Sequence, residues 1–424
     1  MKNVFYISLL FILVACEDKY EVTHEYSRPY SISKEYPIQL DAREILVDIQ
    51  IEAPVNPNEA FKIVSNEKYI FVGEKMKGVH VFEKSDESHT IPLCFIECKY
   101  IKAFDVVDNM LYCNNFVDLL VIDVTSPLQS KILHREKDYF NKYYSNSSFN
   151  FPILYNSSIN DLVYILGYKQ VVLTGIETET AMTPEPDFSE YDKLYGNMVL
   201  KEIPDTLQVD KPYVGIVNVE GNIFTLGDNC LMQCSYSSNG MKINQSTINI
   251  PNNFSVMPYD NLLYKDGMIF ITGLIWGLIY LDYNNIFAQS HLYSINKVKD
   301  VVSIKQPKNS IVAISSYEHS DFIISGFGLK AYNSFATNGY ISNATSLINV
   351  NDTVLALSNQ SLVLYCLSSY YASNILFWSI KTVNQPLAIT GTSMLRDGNK
   401  LIVANKQGLL LCDISDLENI TLIK

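Results

Sequence analysis

Three features of the sequence predict an all-β chain assembled from repeated units. From about residue 45 onward, short apolar segments alternate with turn residues, and no long 3.6-residue periodicity interrupts them. β-Branched and aromatic residues dominate those segments, with 29 Tyr and 20 Phe in 424 residues, and such side chains suit a pleated, half-buried surface. The same strand–turn–strand grammar then returns at a spacing of about 40–50 residues.

The units can be followed along the chain. The first runs Lys62–Gly73 and then Gly78–Glu83; the second runs Phe104–Asn114 and then Asp118–Asp123. The last runs Ser393–Ala404 and then Gly408–Asp413. Each reads as a strand, a tight polar turn, a strand of Leu-Ile-Val type, a short hairpin turn, and a strand ending near an acidic residue. Looser copies occupy Leu162–Leu173, Asn222–Tyr236, Gly267–Asp282, Ser310–Ser325 and Asp352–Leu367. The second strands begin near Tyr69, Met110, Val163, Ile223, Met268, Ile311, Val354 and Leu401, at intervals of 41, 53, 60, 45, 43, 43 and 47 residues. One such unit cannot cover both faces of its own sheet, whereas a ring of them can. Four strands per repeat therefore predict a β-propeller over 45–424. Eight blades is the literal count, or seven if the third or sixth unit is not a blade.

The interval of 60 holds an insertion near 178–211. Its core, Thr183 to Lys193, is acidic and aromatic, and Pro184 and Pro186 exclude a central strand. It reads either as a solvated excursion or as a lip over the mouth of the ring, with Tyr191 as a candidate binding residue. Ile45–Ile51 alternates in polarity and is expected to add to the last blade or cover the seam of the ring. Glu418–Ile423 supplies a fourth strand for the last unit.

The second unit carries a family resemblance. Leu111 to Pro127, centred on Leu120-Val-Ile-Asp-Val124 followed by Thr125-Ser-Pro127, resembles the LVIVD repeat of bacterial β-propeller proteins. Cys412-Asp-Ile-Ser-Asp416 is the next match, while Val81-Phe-Glu83 and Leu364-Tyr-Cys366 are degenerate. The resemblance implies a propeller, often on a lipoprotein, and implies no single activity.

The N-terminus fits that setting. Lys2 precedes an apolar run from Val4 to Val14, which ends in Leu13-Val14-Ala15-Cys16. This resembles a bacterial lipoprotein signal peptide over 1–15, with Cys16 as the lipidated residue. The run is too short to span a bilayer, which takes about 20 residues. The polar, aromatic stretch that follows, with no clear periodicity, reads as a tether over 16–44. Glu17-Asp18 is similar to acidic positions in Bacteroidetes lipoproteins carried to the cell surface. The expectation is an outer-membrane lipoprotein of the cell envelope, held by diacylglycerol and palmitate chains, and the membrane is its first partner.

Chemistry is sparse. The formal net charge is −13, and no Lys/Arg run is dense enough for a phosphate backbone, so nucleic acid is excluded as a partner. Seven cysteines remain beyond Cys16. Cys94/Cys98 and Cys230/Cys234 fall on strand-like runs, where residues i and i+4 stand about 13 Å apart. That is too far to bridge, so free, buried thiols are expected and no metal site is predicted. His80 lies mid-strand, and Glu318-His319-Ser320-Asp321 has hydrolase residue types without triad spacing. Asp123, Asp282 and Asp413 close their strands and suit turn-making. Gly78, Gly277 and Gly408 enter the third strands as turn residues. Trp276, in a hairpin, is a candidate for stacking on a sugar or peptide; Trp378 falls in an outer strand. No cofactor motif occurs. The sequence therefore points to a non-catalytic binding or scaffold module for a glycan, peptide or protein. The competing readings are an envelope hydrolase or lyase with its site in the propeller mouth, and a structural subunit of an outer-membrane assembly.

Overall fold

A computed structural model describes residues 27–423 apart from 46, 86–88, 143–150, 152, 179–186, 197, 205–206, 208–213, 228–229, 248–258, 274–276, 283–290, 294–297, 305–309, 316–320, 325–333, 336–343, 352, 359–360, 373–374 and 383–386. The chain is all-β in character, made of many small antiparallel sheets. Eight sheets lie among the described residues, seven of four strands and one of five.

Seven of them share one plan, with four consecutive strands paired in chain order. Their first strands are Ala60–Ser65, Phe104–Val107, Ile216–Val219, Tyr259–Lys265, Val298–Ile304, Ala344–Val350 and Ser393–Asp397. Each first strand lies beside the next in chain order, and Ser393–Asp397 lies beside Ala60–Ser65. Local turn chemistry starts each unit. Glu220-Gly221 and Asp266-Gly267 both take positive φ at the two turn positions, the backbone of a two-residue hairpin whose twist matches the strands it joins.

Second strands such as Tyr69–Glu74 and Met110–Asn115 are buried at five of their six positions. A sheet covered on both faces needs no polar side, so the period-two alternation disappears. The covering side chains form clusters between neighbouring sheets. Phe71, Val79 and Ile96 of the first sheet meet Phe104, Leu111 and Ile122 of the second. Tyr112 and Val121 of the second meet Ile216, Met232 and Cys234 of the third. Ile63, Ile70, Val72 and Phe82 of the first sheet meet Ile402, Ala404 and Leu411 of the last. Each such aliphatic or aromatic side chain, once buried, contributes about 1.5–3 kcal/mol.

The third unit expected from the sequence is not one of these sheets. Asp161–Thr178 is a single long strand, and its partner is Ser27–Asp41, paired antiparallel from Ser27↔Thr178 to Asp41↔Val163. With Ile153–Asn156 and Val199–Leu200 they make the eighth sheet. The stretch read as tether thus contains a 15-residue strand. Its signal was present in the alternation Tyr30, Ile32, Lys34, Tyr36, Ile38, Leu40, masked by Lys34 and by two prolines. The insertion is correspondingly larger than 178–211, because all of Ile153–Leu200 stands between the second and third sheets. It packs on the first two through Leu40, Tyr164 and Phe151 against Tyr100, Phe116 and Val117.

The segment 45–51 also behaves differently from expectation. Gln50–Glu52 pairs with the fourth strand of the first sheet, at Gln50↔Glu97 and Ile51↔Ile96, and so forms that sheet's fifth strand. It neither joins the last sheet nor covers the first–last seam. The last sheet is completed by Thr421–Ile423, within the predicted stretch.

Candidate functional site

The first strands bring charged side chains together where neighbouring sheets meet. Lys62, on the first sheet, donates from Nζ to Asp105 Oδ2 of the second sheet at 2.6 Å and to the Ile216 carbonyl of the third at 3.1 Å. Lys265, on the fourth, donates to Asp300 Oδ1 of the fifth at 2.5 Å and to the Leu347 carbonyl of the sixth at 2.8 Å. Both aspartates also accept from the next backbone N–H, that of Val106 and of Val301. Asp300 Oδ2 further accepts from Ser346 Oγ and Leu347 N. One three-sheet bridge therefore occurs twice, as Lys, Asp and carbonyl on successive sheets.

The aspartate side chains are 8% and 9% exposed and their lysines 22% and 26%. Opposite charges this close, on side chains largely shielded from water, neutralise each other locally. The repeated Asp-Val-Val of residues 105–107 and 300–302 was the sequence signal for this site, and sequence reasoning missed it. The signal is faint because the partner lysine lies 43 residues upstream in one case and 35 in the other.

A second cluster surrounds His80. It is 1% exposed, with Nε2 at 2.9 Å from Glu74 Oε2 and Nδ1 at 3.1 Å from the Val55 carbonyl. Lys77 Nζ also donates to Glu74. Burial pushes the imidazole pKa below its ordinary value. For Glu74 burial alone would raise the carboxyl, but hydrogen bonds from Lys77 and His80 outweigh it and hold the group below its usual range. The Phe95 ring closes over the imidazole, with centroids 4.7 Å apart. This is a core histidine that fastens the strand-free segment around Val55 to the first sheet.

The residues singled out from sequence fall as follows. Cys16, Trp276 and Glu318 to Ser320 lie outside the described residues. Trp378 is on the fourth strand of its sheet, paired with Ser369. Tyr191 sits on the short helix Ser189–Tyr195. Its ring stacks with Tyr195 at 6.5 Å, and Tyr195 packs against Tyr36 of the long ribbon. Asp192 of the same helix accepts from Lys34 Nζ and Tyr36 Oη. Burial and that bond raise the Tyr36 phenol to about 12. Tyr191 is therefore placed on the inserted sheet rather than on the Lys–Asp bridges. Asp123 and Asp413 accept from the backbone N–H of Thr125 and Ser415, the expected turn-making role.

Cys94, Cys98, Cys113, Cys230, Cys234 and Cys412 are free and buried. Among the described residues no group of three or more His, Cys, Asp or Glu is placed to hold a metal ion. The contact that sequence reasoning missed is Cys98 with Cys113, whose sulfurs stand 3.8 Å apart. Beside Cys98 runs a small crevice, lined by Glu44, Val47, Ile49, Glu97, Lys99 and Asn115 among others. Arg135 pins its rim, donating to Asp118, Asn115 and the Val47 carbonyl.

No family model matches the chain, and no curated protein matches it. Among solved structures, a computationally designed protein, Ika8, is similar at a TM-score of 0.43 and 8% identity, over 88% of each chain. A catalytically inactive virginiamycin B lyase from Staphylococcus aureus, solved with quinupristin, is similar at a TM-score of 0.43 and 9% identity, over 85% of this chain and 97% of that one. Likeness at this level fixes neither a ligand nor a chemistry for the present chain.

Proposed function

We propose that the seven like sheets are the blades of a β-propeller, and that this propeller is a lipid-anchored, non-catalytic binding or scaffold module of the cell envelope. The cyclic order of the first strands supports the ring. The observation that carries the non-catalytic reading is the doubled Lys–Asp bridge. The charges of Lys62, Asp105, Lys265 and Asp300 are spent on each other and on backbone groups, where a catalytic centre would aim them at a substrate atom. The LVIVD-like unit Leu120–Val124 and the Leu13–Cys16 motif support the envelope setting, and the inserted sheet, reached directly from the N-terminal segment, is the part that would stand nearest the lipid.

The test has two arms. In cells fed labelled palmitate, the wild-type chain is expected to take up label and sediment with membranes, and Cys16→Ser to lose both. Label retained by the variant would overturn the anchoring. In the second arm, the purified protein is incubated with envelope glycans and peptides. Saturable binding without product is the expected result. A product whose formation is abolished by Asp105→Asn or Asp300→Asn would replace the module with an envelope hydrolase or lyase.

A further inference from the structure

Cys98 and Cys113 are 15 residues apart in sequence, yet they come from different sheets. Cys98 follows the fourth strand of the first sheet, where its backbone N–H donates to the Lys77 carbonyl at 2.9 Å. Cys113 lies within the second strand of the second sheet, Met110–Asn115. Their sulfurs face each other at 3.8 Å, and the residues are 3% and 0% exposed. A disulfide holds its sulfurs about 2.05 Å apart, so closing the bond takes an approach of about 1.8 Å.

The neighbourhood holds the pair in place. Asn114, wholly buried, accepts from the N–H groups of Lys102 and Ala103 through Oδ1 and donates to the carbonyls of Tyr100 and Phe116 through Nδ2. Three of these four bonds tie the loop after Cys98 to the strand that carries Cys113, and the fourth closes that strand's own hairpin. Of the two cysteines, Cys98 is the one that lines the crevice, together with Glu97 and Lys99.

We propose that Cys98 and Cys113 are a reversible dithiol–disulfide pair that staples the first two sheets. The expectation that an oxidant meets it rests on the extracytoplasmic placement proposed above. The co-reactant is a disulfide, RS–SR, of a small molecule or an oxidoreductase. The Cys98 thiolate attacks it, forming a Cys98–SR mixed disulfide and releasing one RS−. The Cys113 thiolate then attacks the Cys98 sulfur and expels the second RS−. Two electrons pass from the cysteine pair to RS–SR, and the two thiol protons leave with the two RSH. Cys98 is the entry sulfur because it borders the crevice. Cys113, which faces the Cys98 sulfur at 3.8 Å, resolves the intermediate.

The experiment uses the full chain, reduced and then exposed to graded ratios of oxidised to reduced glutathione. The samples are acid-quenched, alkylated and digested without reduction for mass spectrometry. The expected result is a peptide linking Cys98 to Cys113, lighter by two hydrogens, carrying no alkyl label on either cysteine and reverting with reductant. Its growth should follow the glutathione ratio and be abolished in Cys98→Ser and in Cys113→Ser. A rise in melting temperature on oxidation should occur in the wild type and be lost in both variants. Both cysteines alkylated at every ratio, or Cys98 held as a stable glutathione adduct, would overturn the pair. Circular dichroism of each variant separates that outcome from misfolding. Because the exchange is run on purified protein, its failure is distinct from a failure of the Cys16 labelling.

Discussion

At the scale of single residues, buried polar groups here do structural work and their titration is linked to folding. His80 and Glu74 both have depressed pKa values. The folded chain thus binds fewer protons than the unfolded chain. The stability contributed is present above pH 6.5, the ordinary imidazole value, and is lost as pH falls through the depressed values. Calorimetry from neutral pH down to about pH 5 should show a steeper fall in melting temperature for the wild type than for His80→Gln. Equal slopes would mean that the ring keeps its protonation state on unfolding. Asn114 is a second such residue. Asn114→Ala strands the N–H groups of Lys102 and Ala103, and each buried, unmade hydrogen bond costs about 1–3 kcal/mol. Urea denaturation should show a large drop in midpoint; a midpoint within error of the wild type would mean that water replaces the side chain.

At the scale of the element, glycines separate two demands that look alike in sequence. Gly408 has φ +125°, a backbone that other residues adopt with strain. Gly78 has no such φ; a Cβ there would lie 2.2 Å from the Ile96 carbonyl oxygen, so close approach of the neighbouring strand, not turn conformation, requires it. Gly167 sits in the long ribbon with nothing within 4 Å of the Cβ position. Gly78→Ala should destabilise by about 1–3 kcal/mol, and Gly167→Ala should be neutral or slightly stabilising, within about 0.5 kcal/mol. Paired urea curves decide this, and a neutral Gly78→Ala would show that the strands can move apart.

For the whole molecule, the contact of first and last sheets is the defining feature. The seam buries Ile63, Ile70 and Phe82 against Ile402 and Leu411, and Lys84 Nζ meets Asp397 Oδ2 at 2.8 Å across it. The ion pair, with Asp397 half exposed, contributes little; the apolar cluster carries the contact. Ile70→Ala should cost about 2–5 kcal/mol and shift the circular-dichroism and tryptophan-fluorescence transitions together. Two separated transitions would mean that the first and last sheets part without unfolding the rest of the chain. Gln50–Glu52 lies on the outer edge of the first sheet, so 45–51 takes no part in the contact of the first and last sheets, which pack on each other directly.

What the sequence determined by itself is local: strand content, turn positions, and the recurrence that placed seven of eight second strands correctly. Those properties follow from side-chain shape, period and backbone preference over a few residues. The pairing of strands was decided only in three dimensions. Leu162–Leu173 has the pattern of a blade strand, but Ser27–Asp41 offers it a longer edge than any local hairpin, and period two says nothing about which edge is taken. The Lys62–Asp105 and Lys265–Asp300 bridges and the Cys98–Cys113 contact were illegible for the same reason. Each joins residues on different sheets, and their proximity depends on the angle at which whole sheets pack, a sum over many apolar contacts that no short stretch of sequence contains.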